Sequence, residues 1–144
     1  MTTPHLSTAA KLTALSRCDV FARIPADALG VLAEMMEAES LGGGDLLFET
    51  GEPSDAVFVV ASGSLAVHVA SRAEPVRTLG PGELLGEYGM FAGQTRTASV
   101  KAAGDATVLS LDYERFRAFL HQFPQAMFEL LATAVKRLVE AERG

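Results

Sequence analysis

The sequence has a single cysteine and no long apolar run, and each of these scarcities excludes a class of protein. Cys18 has no second cysteine with which to form an internal disulfide or a cysteine-based metal site. The longest purely apolar stretch, Ala56–Ala61, is far shorter than the roughly 18 residues of a membrane-spanning helix. Because the N-terminus also has no basic segment followed by an apolar one, no secretory signal is predicted. We therefore expect a cytoplasmic protein that does not insert into membranes.

Basic residues are missing between Arg23 and Arg72. The whole chain carries twelve lysines and arginines against eighteen acidic residues, a net charge of −6, and this stretch alone carries −8. Nucleic-acid affinity comes largely from lysine and arginine side chains that neutralise phosphates. The chain is therefore not expected to bind DNA or RNA, although one well-placed arginine is enough to hold a small anion.

Glycine divides the chain into three zones, because eleven of the thirteen glycines lie between Gly42 and Gly104. Short apolar runs separated by glycine turns, about ten residues apart, are typical of an antiparallel sandwich or barrel. On either side, apolar residues recur at helical spacing. We predict an α+β fold with an antiparallel β-barrel or jelly roll of about eight strands. The predicted single domain, 1–144, has N-terminal helices at about 8–37, the barrel at about 38–111 and two C-terminal helices at about 112–142.

The second C-terminal helix, which we expect to run from Pro124 to about Glu142, carries an apolar stripe. Its members are spaced three, four and three residues apart: Phe128, Leu131, Val135 and Leu138. We expect the stripe to pack on the barrel. The same spacing also fits a two-helix seam between two subunits, so the chain is a monomer or a homodimer through this helix. A third use is presentation to a partner protein.

The residues that indicate a function lie in two adjacent segments, Leu85–Gly89 and Gln94–Ala98. A short helical turn from Glu87 to Phe91, ended by Gly93, would present free backbone N–H groups that bind anions. Arginine suits a phosphate because its planar guanidinium can donate two parallel hydrogen bonds. An acidic residue suits a sugar hydroxyl, as in dinucleotide sites. The combination predicts a nucleotide pocket; the alternative is a surface ion pair between Glu87 and Arg96, which would stabilise the fold by about 0–1 kcal/mol.

The segments from Gly86 to Phe91 and from Arg96 to Ala98 resemble the phosphate-binding cassette of cyclic nucleotide-binding domains. Such domains occur in catabolite activator proteins, cyclic-nucleotide-dependent kinases and nucleotide-gated channels. Two further segments occur in the expected order: Gly51–Val60 with Gly63 resembles the family's turn between its second and third strands, and Gly80–Gly82 resembles the turn that precedes the cassette. The resemblance covers roughly residues 12 to 140. It implies a regulatory domain with a short cassette helix inside the barrel.

The resemblance also implies roles for individual residues. Glu87 would accept a hydrogen bond from the ribose 2′-hydroxyl, and Arg96 would pair with an exocyclic oxygen of the cyclic phosphate. Backbone N–H groups around Gly89 and of Ala98 would complete the phosphate cradle, and Gly86 would line it. The ligand implied is cAMP or cGMP, with no cofactor and no metal.

The sequence does not decide between cAMP and cGMP, nor which residue covers the purine base. In domains of this family, a threonine at the position of Thr97 occurs where cGMP is accepted. It also occurs in channels that prefer cAMP while binding both nucleotides, so both are expected to bind here. The cap over the base is expected from the C-terminal helix, with Phe128, Leu131 and Arg137 as candidates.

No arrangement of residues in the sequence predicts catalysis, since Glu87 has no second carboxylate and no nucleophile–histidine set is indicated. We therefore expect a non-catalytic sensor in which ligand draws the Glu87–Phe91 turn inward and the C-terminal helices follow. The alternative is a protein–protein interaction module that kept the fold without the ligand. The chain is expected to act on a downstream protein as a free-standing sensor, or to be part of a larger protein.

Overall fold

The computed structural model describes residues 6–93 and 95–143. Two helices precede the strands: α1 (Thr8–Ser16) and α2 (Ala26–Met35). The strands are β1 (Glu37–Leu41), β2 (Leu46–Phe48), β3 (Ala56–Ser62), β4 (Leu65–His68), β5 (Arg77–Leu79), β6 (Leu84–Leu85), β7 (Ser99–Ala102) and β8 (Ala106–Asp112). Helix α3 (Tyr88–Ala92) lies between β6 and β7. Helices α4 (Tyr113–Gln122) and α5 (Pro124–Arg143) follow the last strand.

The strands form two four-stranded antiparallel sheets, in the orders β1-β8-β3-β6 and β2-β7-β4-β5. One apolar cluster, with members from both sheets, fills the space between them. The predicted jelly roll of about eight strands is confirmed, as two facing sheets rather than one closed barrel.

Strand β3 explains why the longest apolar run of the sequence lies in the middle of the fold. Phe58 and Val60 belong to the cluster between the sheets, whereas Val57 and Val59 pack against the helices on the other side. A strand that is covered on both faces needs apolar residues at every position instead of alternation. The helical cluster against that outer face includes α1, α2, α4 and the first turns of α5.

The predicted N-terminal helical segment, about 8–37, ends two residues earlier in the structure. Helix α2 ends at Met35 because Met36 already has an extended backbone. Strand β1 begins at Glu37, so the N-terminal helices stop short of residue 37. Pro25 is the N-cap residue of α2. Thr97 and Ala98 precede β7 in a bend.

The prediction that the apolar stripe of α5 packs on the barrel is wrong. Phe128, Val135 and Leu138 are 65%, 58% and 62% exposed, and Leu131 is exposed as well. Helix α5 instead packs through a neighbouring face that carries the fully buried Ala126 and Leu130. Helical spacing identifies an apolar face but does not show which face of the helix makes the contact. None of the helices in the described residues combines the length and apolar character needed to cross a membrane.

Candidate functional site

A cavity of about 260 Å³ opens between the β2-β7-β4-β5 sheet and the segment around α3. All six residues of the predicted site line it: Gly86, Glu87, Gly89, Arg96, Thr97 and Ala98. Its sheet side is formed by residues that are paired in register across four strands, namely Phe48, Val100, Val67 and Arg77. Gln94, which the sequence motif includes, lies outside the described residues. The two sequence segments therefore meet at one concave site, as predicted.

The predicted helical turn is present as α3, with Glu87 at its N-cap position and Gly93 in the left-handed conformation at its C-cap. The chain enters this turn at Gly86, where φ is +89°. A Cβ atom built on Gly86 would lie 2.7 Å from the Ala56 carbonyl oxygen and 2.9 Å from the Arg96 guanidinium. Any side chain at this position would therefore disturb both the backbone conformation and Arg96.

Glu87 is a buried carboxylate, only 2% exposed, and its side chain has two different environments. Oε1 accepts a hydrogen bond of 2.7 Å from the Arg137 guanidinium on α5. Oε2 is buried and has no hydrogen-bond partner in the described part of the chain. Burial raises the pKa of the Glu87 carboxyl, and Arg137 and Arg77 partly oppose this rise. An unpartnered buried acceptor beside a cavity is suited to a hydroxyl donor from a ligand.

Arg96 is also buried, 6% exposed, between two aromatic rings. Its guanidinium carbon lies 4.1 Å from the centroid of Phe48 and 5.8 Å from that of Phe58. Nη2 donates to the Ala56 carbonyl oxygen at 3.0 Å, and the Asp55 carboxylate lies 3.7 Å away. These contacts hold the guanidinium plane in place while Nε has no hydrogen-bond partner among the described residues.

The alternative of a surface ion pair between Glu87 and Arg96 is wrong, because both side chains are buried and each has a different partner. Of the three candidates for a cap on α5, Arg137 is among the residues that line the cavity, and Phe128 and Leu131 are exposed elsewhere on the helix.

Sequence reasoning missed several residues that line this site, and two of them matter most for its charge and shape. Phe48 supports Arg96, and Arg77 lines the cavity from β5, the far edge strand. The alternating pattern of the strands carries a weak signal for both, since each points to the same side of its sheet as Val67. Their strand order could not be deduced from spacing alone.

Comparison with known proteins gives this fold and site a family. The sequence model of the "Cyclic nucleotide-binding domain" family matches residues 38–123. The cGMP-dependent protein kinase egl-4 of Caenorhabditis briggsae is 33% identical over 107 residues, which are 71% of this chain and 14% of the kinase. The CRP-like cAMP-activated global transcriptional regulator of Mycobacterium tuberculosis is 26% identical over 129 residues, 86% of this chain and 57% of the regulator.

Among solved structures, the catabolite activator protein of Thermus thermophilus superposes with a TM-score of 0.80 at 26% identity. The alignment covers 86% of this chain and 60% of that protein. The N-terminal domain of a transcriptional regulator from Streptomyces coelicolor has a TM-score of 0.76 at 29% identity, covering 91% of this chain and 96% of that domain.

A jelly roll with a buried Glu–Arg cassette and a match over residues 38–123 defines the class: the chain belongs to the cyclic nucleotide-binding domain family. It spans only 14% and 57% of the lengths of the kinase and the regulator named above.

Proposed function

We propose that this chain is a non-catalytic sensor that binds one cyclic nucleotide, cAMP or cGMP, in the cavity beside α3. One observation carries the proposal. Two buried charged residues that line the cavity each keep one buried polar atom without a partner among the described residues: an acceptor, Oε2 of Glu87, and a donor, Nε of Arg96. A buried polar atom left without a hydrogen bond costs about 1–3 kcal/mol. A ligand with a hydroxyl and an anionic group satisfies both atoms.

The roles follow from the chemistry of each group. Arg96 neutralises the cyclic phosphate, and the N–H groups at the start of α3, near Gly89, together with Ala98 complete its cradle. Gly86 allows the phosphate close to the backbone. Glu87 accepts from the ribose 2′-hydroxyl. Thr97, exposed at the rim of the cavity, offers a hydroxyl to the base.

The strand order supports one orientation of the ligand in the cavity. Phe48 and Arg77 lie at opposite ends of a four-strand row, which spans about 14 Å at the usual strand spacing. With the phosphate at Arg96 beside Phe48, the purine extends toward Arg77 and toward Arg137 on α5. This orientation supports Arg137 as the residue of α5 that meets the base.

We expect Arg137 also to transmit ligand binding to α5. Arg137 connects α5 to Glu87 at 2.7 Å, and its Nη1 also lies 3.5 Å from the Leu84 carbonyl oxygen. A ribose hydroxyl on Glu87 changes the charge and hydrogen bonding that hold Arg137, so occupied and empty pockets favour different positions of α5. Ligand shifts this equilibrium only by its difference in affinity for the two positions.

The exposed stripe of α5 is the surface on which we propose that a second copy of the chain docks. Phe128, Leu131, Val135 and Leu138 are all exposed, and their spacing of three, four and three residues is that of a two-helix seam. We expect light scattering of the wild-type chain to give a dimer and that of the L131D variant a monomer with unchanged nucleotide affinity. K136E, at an exposed position outside the stripe, is the matched control. A monomeric wild-type chain at all concentrations contradicts this pairing.

The nucleotide acts as a ligand, and no catalytic step is assigned to the chain. Cys18 is buried, and a single buried cysteine is compatible with the cytoplasm, where we propose that the sensor acts. Since the relatives are longer, the sensor either acts on a separate downstream protein or controls a segment of a larger one.

Thermal unfolding tests the proposed function. With cAMP or cGMP at a hundred times its Kd, the refolded, ligand-free chain should be stabilised by about 2.7 kcal/mol, which raises its melting temperature by about 5–10 °C. The acyclic nucleotides 5′-AMP and 5′-GMP, at the same concentration, are matched controls and should shift it much less. No shift with either cyclic nucleotide contradicts the proposal and favours a protein–protein interaction module with this fold.

A further inference from the structure

Tyr113, the first residue of α4, has polar contacts that its position in a helical core does not require. It is 7% exposed and is not among the residues that line the cavity. Its hydroxyl donates to the carbonyl oxygen of Gly86, where the cassette begins. The Tyr113 hydroxyl oxygen also lies 2.8 Å from Oγ of Ser54, in the turn between β2 and β3. Because the single hydroxyl hydrogen of Tyr113 goes to Gly86, Ser54 is the donor in the second bond.

The backbone of Tyr113 joins the same segments. Its N–H group donates to the Asp55 carbonyl oxygen at 2.9 Å, and the Asp55 carboxylate lies 3.7 Å from the Arg96 guanidinium. Tyr113 is therefore connected at two points to the turn that supports Arg96, and at a third point to the start of the cassette.

Helix α3 rests directly on this hydroxyl pair. A Cβ atom built on Gly89 would lie 2.6 Å from the Tyr113 hydroxyl and would also overlap the Ser54 side chain. Glycine at this position thus allows α3 to contact the two hydroxyls without a gap. Helix α3 thus rests on the Tyr113 hydroxyl of α4, which does not line the cavity, and on the Ser54 side chain, which does.

We propose that the Tyr113 hydroxyl is a positioning group that fixes the cassette to the start of α4, so that ligand bound at α3 and Arg96 acts on α4 and α5. This inference rests on the proposed function. Loss of the hydroxyl leaves the Gly86 carbonyl and the Ser54 hydroxyl without their partner, which loosens the cassette and separates ligand binding from helix movement.

The Y113F variant tests this role by two measurements on the same protein. Its affinity for cAMP or cGMP should fall roughly five- to twentyfold by calorimetry. An environment-sensitive dye on K136C, at an exposed position of α5, reports the helix. Cys18 does not compete for the dye, because burial raises its pKa to about 11. At saturating nucleotide, the dye response of Y113F should be less than half that of the parent.

Controls separate positioning from general stability. T13V removes an exposed hydroxyl that bonds only within α1 and should leave affinity and dye response unchanged. S54A should lower the affinity in the same direction as Y113F, and the double variant should lose less than the product of the two single losses. If Y113F lowers only the melting temperature, with a full dye response at saturation, the positioning role is overturned. Failure of the parent chain to bind either nucleotide overturns the proposed function and this inference together.

Discussion

Cyclic nucleotide affinity is expected to fall by about 100-fold or more when Arg96 is replaced by leucine, because a phosphate is then buried without its counter-charge. Leucine fills part of the space between Phe48 and Phe58, so the ligand-free fold should persist. R96K retains the charge but loses the planar fork, and we expect an intermediate loss of about tenfold. Calorimetric titration of the three proteins measures the series.

The control for Arg96 is R115A, which removes an exposed arginine that pairs with Asp112, the last residue of β8 and the N-cap of α4. Its affinity should equal that of the wild type. A loss of less than threefold in R96L, with the wild type binding, would show that the phosphate lies elsewhere and would contradict the assignment of Arg96.

The second large effect is the preference of Glu87 for a ligand with a 2′-hydroxyl. It is measured by comparing ligands with and without this hydroxyl in wild-type and variant proteins. The wild-type chain should bind cAMP or cGMP about 10- to 100-fold more tightly than the 2′-deoxy analogue, because the hydroxyl bond to a buried carboxylate is charge-assisted. E87Q should lose most of this discrimination. R137Q leaves the acceptor in place, so it should weaken binding while keeping the preference for the 2′-hydroxyl. Equal discrimination in E87Q and wild type would contradict the ribose role.

The pH dependence of that discrimination follows from the raised pKa of Glu87, whose main cause is burial. Protonation of the carboxyl removes its charge, so the preference for the 2′-hydroxyl should weaken as the pH falls through this raised pKa. The stability of the fold depends on pH in the opposite direction. A carboxyl whose pKa is raised by folding favours the folded state at low pH and destabilises it as the pH rises through the raised pKa. E87Q should lose the contribution of Glu87 to both dependences.

The cassette could be located from the sequence because its requirements are local. Gly86, Glu87 and Gly93 lie within eight positions of one another, and a short turn between glycines has few possible conformations. The eight-strand fold was predictable for a similar reason, since turns and apolar runs repeat along the chain. The ligand roles of Glu87 and Arg96 stay predictions, now supported by burial and unpartnered atoms in one cavity.

What the sequence could not show depends on contacts between distant segments. Arg137 meets Glu87 across fifty positions, and Tyr113 meets Gly86 across twenty-seven. Neither contact leaves a periodic signal in the sequence. The error on α5 has a related cause, because the spacing of Phe128, Leu131 and Val135 identifies an apolar face without saying what covers it. The packed face instead uses Ala126 and Leu130.

The most direct test of the central claim is calorimetric titration of the refolded, ligand-free chain with cAMP and then with cGMP. The account predicts one nucleotide bound per chain at micromolar or tighter Kd, equivalent to about −8 kcal/mol or more favourable. The ratio of the two Kd values then gives the ligand preference associated with Thr97. Absence of binding heat with both nucleotides, together with an unchanged melting temperature, would contradict the claim that this chain is a cyclic nucleotide sensor.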